Sequence, residues 1–185
     1  MLLTTLLLAT LSGLGNPATS APVPPVEPQA APEAKTFSYS YVDAGLMLGD
    51  YTGLQLEGSF ELDGNWIAVA GFTAGSDDGP DLTSLRGGVG YVAPLSAKLD
   101  LIGTGQLEYV DLYKSELGLR ARGGLRFAAQ EKLQVFGGLE YRTVFDNEWV
   151  IDGGALYALS ESLSAVGKLE LGDYDQFTVG LRFGL

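Results

Sequence analysis

From about residue 37 to the end, the chain consists of segments in which apolar and polar residues alternate. The last segment, residues 176–185, shows the pattern most plainly, with Phe, Val, Leu, Phe and Leu at every second position. Successive side chains of a β-strand point to opposite faces, so this pattern predicts a strand with one apolar and one polar face. Short turns such as residues 63–65 separate the segments. The predicted fold is all-β, an antiparallel up-and-down barrel of about ten strands, with eight as the fallback.

The first segment is less regular than the others. Asp43 interrupts the apolar phase set by Phe37, Tyr39 and Tyr41. An extra residue in one strand changes which face the following side chains occupy. We therefore predict a β-bulge near residues 42–44.

The large apolar face favours a barrel that crosses a membrane. The segments run to about 10–13 residues, close to the 9–11 of a tilted transmembrane strand. The interior of a small barrel could not hold so many leucines and aromatic residues, so we expect this face to point outward. Aromatic residues near the strand ends predict two belts at the membrane interfaces. The predicted belts are Tyr51, Tyr109, Tyr113, Phe145, Trp149, Tyr174 and Phe177, and Phe37, Tyr39, Phe60, Trp66, Tyr91, Phe127, Tyr157 and Phe183. The alternative is a secreted soluble, lipocalin-like ligand-binding barrel with the apolar face inside.

Two segments before residue 37 have other compositions. Residues 1–21 have the apolar core of a secretory signal peptide, with the cleavage position left open, and a buried N-terminal helix is the alternative. Residues 22–36 are rich in proline, which cannot donate to a sheet, and predict a flexible linker. A docking motif for a partner is the other interpretation of this stretch. The barrel itself is predicted over residues 37–185.

Composition excludes several classes of function. The net charge of −12 argues against a nucleic-acid partner. The chain has no cysteine, which excludes disulfides and thiolate metal sites. It also has no histidine, the commonest general base and metal ligand. We expect no cofactor.

Taken together, the signal peptide, the amphipathic strands and the last segment make the chain similar to the small Gram-negative outer-membrane β-barrel proteins of the OmpX, OmpA-barrel and porin-like type. In that family the last strand is the insertion signal for the barrel-assembly machinery, and the positions that fit it here are Thr178, Gly180, Phe183 and Leu185. The usual terminal residue is aromatic, so Leu185 is a departure. The resemblance implies residence in the outer membrane, among lipid and lipopolysaccharide. An even strand number places both termini in the periplasm, and we expect a monomer.

The resemblance does not imply one activity, because barrels of this architecture host adhesins, pores and enzymes. The outer-membrane proteases, deacylases and phospholipases of this architecture depend on a histidine base, which this chain lacks. A catalytic carboxylate pair, Glu108 with Glu140, is an alternative to an internal salt-bridge network. We predict that the chain is not an enzyme.

The polar face carries as many predicted cations as anions, and unpaired charge in a narrow lumen is costly. This balance predicts a lumen largely filled by paired side chains, whereas an ion-selective pore would carry an excess of one sign. A small passive channel is the alternative. The predicted lumen residues are Arg86, Arg120, Arg122, Arg126, Arg142, Lys168 and Arg182, with Glu57, Glu61, Asp100, Glu108, Glu140, Asp152 and Glu170.

Further acidic residues fall in the connections predicted to face the cell exterior. They are Asp50, Asp77, Asp78, Asp81, Asp111, Asp146, Glu148, Asp173 and Asp175. Carboxylate oxygens are ligands for hard cations, so Asp77, Asp78 and Asp81 form a possible weak cation site. The alternative is an acidic rim that keeps the exposed end soluble.

Overall fold

In the computed structural model, residues 37–76, 81–144 and 146–185 are described. They form ten β-strands. The strands are β1 (Tyr41–Gly49), β2 (Thr52–Glu61), β3 (Trp66–Ser76), β4 (Leu82–Ser96), β5 (Leu99–Asp111), β6 (Ser115–Ala128), β7 (Leu133–Arg142), β8 (Glu148–Ala158), β9 (Leu163–Leu171) and β10 (Gln176–Gly184). Within the described ranges there is no helix that is long and apolar enough to cross a membrane.

The strands close into a single barrel in which each strand pairs with its neighbours in sequence and β1 pairs with β10. All of the pairings are antiparallel. Closure leaves no edge strand exposed, so the main-chain groups of the wall bond to one another. The prediction of a ten-stranded, up-and-down antiparallel barrel is confirmed.

The two ends of the barrel differ in their connections. Tyr41 of β1 lies beside Gly184 of β10, so both ends of the barrel chain lie at what we call the terminal end. The turns that follow β2, β4, β6 and β8 lie at the same end. One of them is built on Gly64 and Asn65, both at positive φ, as a tight hairpin turn requires. The other five connections lie at the opposite end, which we call the loop end.

The apolar face points outward. On β8, Val150 is 1% exposed while its neighbour Ile151 is 60% exposed, and the same alternation repeats along the strands. Leucines, valines and aromatic residues cover the outer wall, and buried charged residues line the inner one. A continuous exposed apolar surface of this kind suits a hydrocarbon surrounding and not water.

The predicted bulge near residues 42–44 is wrong. The pairing of β1 with both neighbours runs without interruption through Val42, Asp43 and Ala44. Asp43 points inward in phase with Tyr39 and Met47, which are also buried. The register shift in the wall lies instead on β4, between Pro94 and Ser96, where proline cannot donate to the ladder.

The predicted aromatic belts are wrong at residues 37–40, which we call the strap. Phe37 and Tyr39 are 4% and 5% exposed, so they cannot face lipid. Phe37 and Tyr39 pack inside the barrel in an apolar cluster with Ile67, Val92 and Ala128. Tyr51 is also buried, at the loop end. The strap therefore leaves the wall of β1 and enters the barrel opening at the terminal end.

Candidate functional site: the charged lumen

The middle of the lumen is occupied by a connected set of ion pairs, which we call the central cluster. Arg120 joins Glu108 at 3.0 Å and Glu140 at 2.6 Å. Arg142 contacts Glu140 and lies 3.2 Å from Glu170. Guanidinium groups form short, directional bonds to carboxylates, so this cluster fixes its side chains in place. The members are Arg86, Arg120, Arg142, Lys168, Glu57, Glu108, Glu140, Glu148 and Glu170.

Lys168 and Arg86 extend the cluster to the opposite wall. Lys168 Nζ lies 3.1 Å from Glu170 and 3.4 Å from Glu57. Glu57 is also paired with Arg86. Because these strands lie on different sides of the barrel, the pairs connect the walls across the lumen.

Two arginines reach a carboxylate two strands away by lying over a glycine. Arg86 on β4 pairs with Glu57 on β2, and both residues lie opposite Gly71 of β3. A Cβ atom on Gly71 would lie 2.5 Å from Arg86 Nε. Similarly, Arg122 on β6 donates to Asp152 on β8 at 2.7 Å, and a Cβ atom on Gly138 of β7 would lie 2.9 Å from its guanidinium. The inner glycines thus leave the space in which the arginine side chains lie.

The set predicted for the lumen lacked two carboxylates, Asp43 and Glu148, which pair there with Arg182 and Arg142. Arg182 on β10 donates to both carboxylate oxygens of Asp43 on β1, at 2.7 and 2.6 Å. These residues are direct partners in the pairing that closes the barrel. Sequence reasoning missed Asp43 because it took the phase of β1 from the aromatic residues. Counting every second residue from Tyr39 to Met47 would have placed Asp43 inside.

At the terminal end, Arg126 holds the strap. It donates to the main-chain oxygen of Ser38 at 3.1 Å and to Gln134 Oε1 at 2.9 and 2.6 Å. Its guanidinium also lies 4.9 and 5.0 Å from the ring centres of Phe37 and Tyr39, which are cation–π distances. The guanidinium of Arg126 thus donates its hydrogen bonds to the strap and to Gln134.

Tyr39 attaches the strap to two further strands, β5 and β2. Its hydroxyl donates to Asp100 Oδ2 at 2.7 Å, and its main-chain N–H donates to Glu61 Oε1 at 2.8 Å. Burial raises the pKa of the Tyr39 hydroxyl well above its usual range, so the group remains a donor. Glu61 therefore lies at the rim of the terminal end, where it receives the strap.

Two cavities lie on either side of the central cluster. The inner cavity, about 140 Å³, lies toward the strap and is lined by Tyr39 and Arg126. The other cavity, about 160 Å³, lies toward the loop end, and we call it the vestibule. Arg86 and Arg120 line both cavities, so the cluster forms the partition between them.

The residues of the predicted insertion signal divide between the two faces of β10. Thr178 points inward and donates to Gln55 Oε1 at 3.0 Å, whereas Phe183 and Leu185 are exposed on the outside. A Cβ atom on Gly180 would lie 2.2 Å from the carbonyl oxygen of Ala44, so the β1–β10 seam has no room for a side chain there.

The acidic connections lie at the loop end. Asp50, Asp111, Asp146, Glu148, Asp173 and Asp175 all lie there. Of the possible cation site, Asp77 and Asp78 lie outside the described residues, and Asp81 is exposed. Within the part of the chain that the structure describes, no group of three or more acidic side chains could hold a metal ion.

Comparison with known proteins gives the class of fold. No protein-family model matches the sequence, and no curated protein matches it. Among solved structures, the KdgM and NanC porins each align with 78% of this chain and 99% of their own, at 10% identity and a TM-score of 0.50. The outer-membrane protein Ail of Yersinia pestis aligns with 80% of this chain and 99% of its own, at 14% identity and a TM-score of 0.44. With its closed ten-stranded antiparallel wall and charged lumen, the chain has the fold of the porin-like outer-membrane β-barrel proteins.

Proposed function

We propose that the protein is a non-enzymatic barrel of the Gram-negative outer membrane whose lumen is closed. The observation that carries this proposal is a pair of barriers in series, the central cluster and the strap. The exposed apolar wall supports residence in lipid. The terminal end would face the periplasm, and the acidic loop end would face the lipopolysaccharide and the cell exterior.

Both barriers are held by bonds that are costly to break. The buried carboxylates of the central cluster each have a cationic partner, and removing one partner would leave an uncompensated charge. The strap adds a buried apolar contact at the terminal end. A ten-stranded barrel is only slightly wider than the eight-stranded size that side chains fill. Ions would therefore meet two obstructions in this lumen.

Conductance in planar bilayers tests the proposal. We expect little or no steady current from the unmodified protein. One variant replaces Arg120, Arg122 and Glu140 with serine to open the middle, and a second replaces Phe37 and Tyr39 with glycine to release the strap. Each leaves the other barrier in place, so we expect a measurable leak mainly when the two sets are combined.

A matched control removes an ion pair outside both barriers. Lys114→Ser with Glu116→Ser eliminates a pair at the rim of the loop end and should leave the current unchanged. Migration of unboiled protein in detergent gels verifies that each variant is folded. A large, stable single-channel conductance from the unmodified protein would contradict a closed lumen. It would favour a passive channel, the function that the names of the KdgM and NanC porins give to those proteins.

A further inference from the structure

The vestibule has the form of a small ligand pocket. It opens toward the loop end, and its floor is the central cluster. Apolar and aromatic side chains form much of its wall, including Met47, Tyr51, Val110, Leu112, Val144 and Tyr174. Pockets with apolar walls and a few convergent polar groups are typical of small-molecule sites. A volume of about 160 Å³ suits a body about the size of one aromatic ring.

The charged residues that line the vestibule favour a ligand of positive charge. Its anionic lining residues outnumber the cationic ones. The anions are Glu108, Asp146, Glu148, Glu170 and Asp173, and the cations are Arg86, Arg120 and Arg142. The inner cavity has the opposite excess, with Arg86, Arg120, Arg122, Arg126, Lys168 and Arg182 against Asp43, Glu57, Glu140 and Asp152. A cation is therefore attracted into the vestibule and opposed beyond it.

Glu148 is the carboxylate that the central cluster compensates least. Its cationic partner is Arg142 at 3.5 Å, and Arg142 also contacts Glu140 and lies 3.2 Å from Glu170. Glu148 lies where the cluster meets the vestibule, with its side chain 13% exposed. Because Arg142 is shared with other carboxylates and Glu148 is partly removed from water, a second positive charge beside Glu148 would be stabilised electrostatically.

We propose that the vestibule binds a small organic cation, a primary ammonium group on an apolar body about the size of one aromatic ring. The ammonium bonds to Glu148, with Asp146 and Asp173 beside it, and the body packs against the apolar wall. Tyr51 and Tyr174, whose ring centres are 5.6 Å apart, supply aromatic faces that attract a cation. Ammonium on an apolar body matches the lining better than a bare metal ion, which needs several convergent oxygens.

Isothermal titration calorimetry on the folded protein in zwitterionic detergent tests the site. The probes are 2-phenylethylammonium, 2-phenylethanol and 3-phenylpropionate, which share a ring and differ in charge. We expect the ammonium to bind at least about tenfold more tightly than either of the others, because only it pairs with Glu148. Titration into detergent without protein measures partition into micelles.

Two variants locate the binding. Glu148→Gln removes the charge at the floor and should weaken ammonium binding about tenfold. Asp173→Asn at the exposed rim should weaken it less, and it keeps the test decisive if Glu148→Gln fails to fold. Glu61→Gln, at the other end of the barrel, is the matched control and should leave the affinity unchanged. Equal binding of the three probes, no binding of the ammonium, or unchanged affinity in both vestibule variants would overturn the proposal.

Discussion

At the scale of single residues, glycine on the inner face decides which charges can meet. Arg86 and Glu57 lie on strands that are not neighbours, and the strand between them carries Gly71 at the shared register position. Long side chains can span the roughly 9–10 Å of two strand spacings only if the middle position leaves the path open. Gly138, which lies opposite Asp152 on β8, likewise leaves space for the Arg122 guanidinium. The glycines are therefore part of the charge network, although they carry no charge.

Gly71→Val tests this role. A valine would occupy the space of the Arg86 guanidinium, so we expect the free energy of unfolding to fall by about 1–3 kcal/mol, as in other overpacked interiors. Urea unfolding of refolded protein in detergent measures the change. Gly87→Val makes the same substitution on the outer face of the next strand. A Cβ atom there would lie 3.9 Å from the carbonyl oxygen of Val69, an ordinary contact, so the loss of unfolding free energy should be much smaller. Equal losses in the two variants would contradict the role of Gly71.

At the scale of elements, the strap and β10 each complete the barrel in a different way. The strap precedes β1 and crosses the terminal opening to reach Asp100 and Arg126 on the far wall. β10 closes the sheet against β1 along nine paired positions and includes the Asp43–Arg182 pair. Both ends of the barrel chain thus meet at one end of the molecule, one in the wall and the other inside it.

Tyr39→Phe tests the hydrogen bond from the Tyr39 hydroxyl, which attaches the strap to Asp100. The ring remains, but the buried Asp100 carboxylate loses the donor at 2.7 Å, so we expect a loss of about 1–3 kcal/mol in unfolding free energy. Thermal or urea unfolding in detergent measures it. Tyr41→Phe retains the ring that lies under Arg182 and serves as the control. If the two variants were equally stable, the bond to Asp100 would contribute nothing to holding the strap.

Phe183→Asp tests the outer face of β10. Phe183 is exposed and pairs with Val42 and Leu163, so an aspartate would place a charge on the apolar wall at a cost of about 1–3 kcal/mol, according to depth. The change also alters the proposed insertion signal, so we expect outer-membrane levels to fall sharply in fractionated cells. Phe183→Leu keeps the apolar face and should assemble nearly normally. Normal levels of Phe183→Asp would show that this position is not part of the signal.

At the scale of the whole molecule, charge is distributed along the barrel axis. The inner cavity has an excess of cationic side chains and the vestibule has an excess of acidic ones. The central cluster lies between these regions, and the acidic connections extend the negative charge at the loop end. The net charge of −12 therefore does not describe the interior, where cations and anions are largely paired. The proposed closed lumen and the proposed cation-binding vestibule both rest on this arrangement.

The sequence alone determined the architecture because the signal repeats in every strand. Period-two alternation depends only on strand geometry, so it predicted an all-β barrel of about ten strands, with eight as the fallback. The size of the apolar face and the aromatic residues near the strand ends predicted that this face points outward. The same alternation assigned most charged residues to the polar face, as at Arg120 and Glu140. These properties depend on local geometry and composition, and both can be obtained from a linear chain.

Tertiary structure alone decided which residues meet. The strap enters the barrel because Phe37 and Tyr39 pack in an apolar cluster there, and because the strap forms hydrogen bonds with Asp100 and Arg126 on the far wall. These partners are distant from the strap in sequence. Arg182 finds Asp43 only when the barrel closes. Alternation assigns a residue to a face but does not give its partner across the lumen, because that partner depends on register, closure and the space left by glycine.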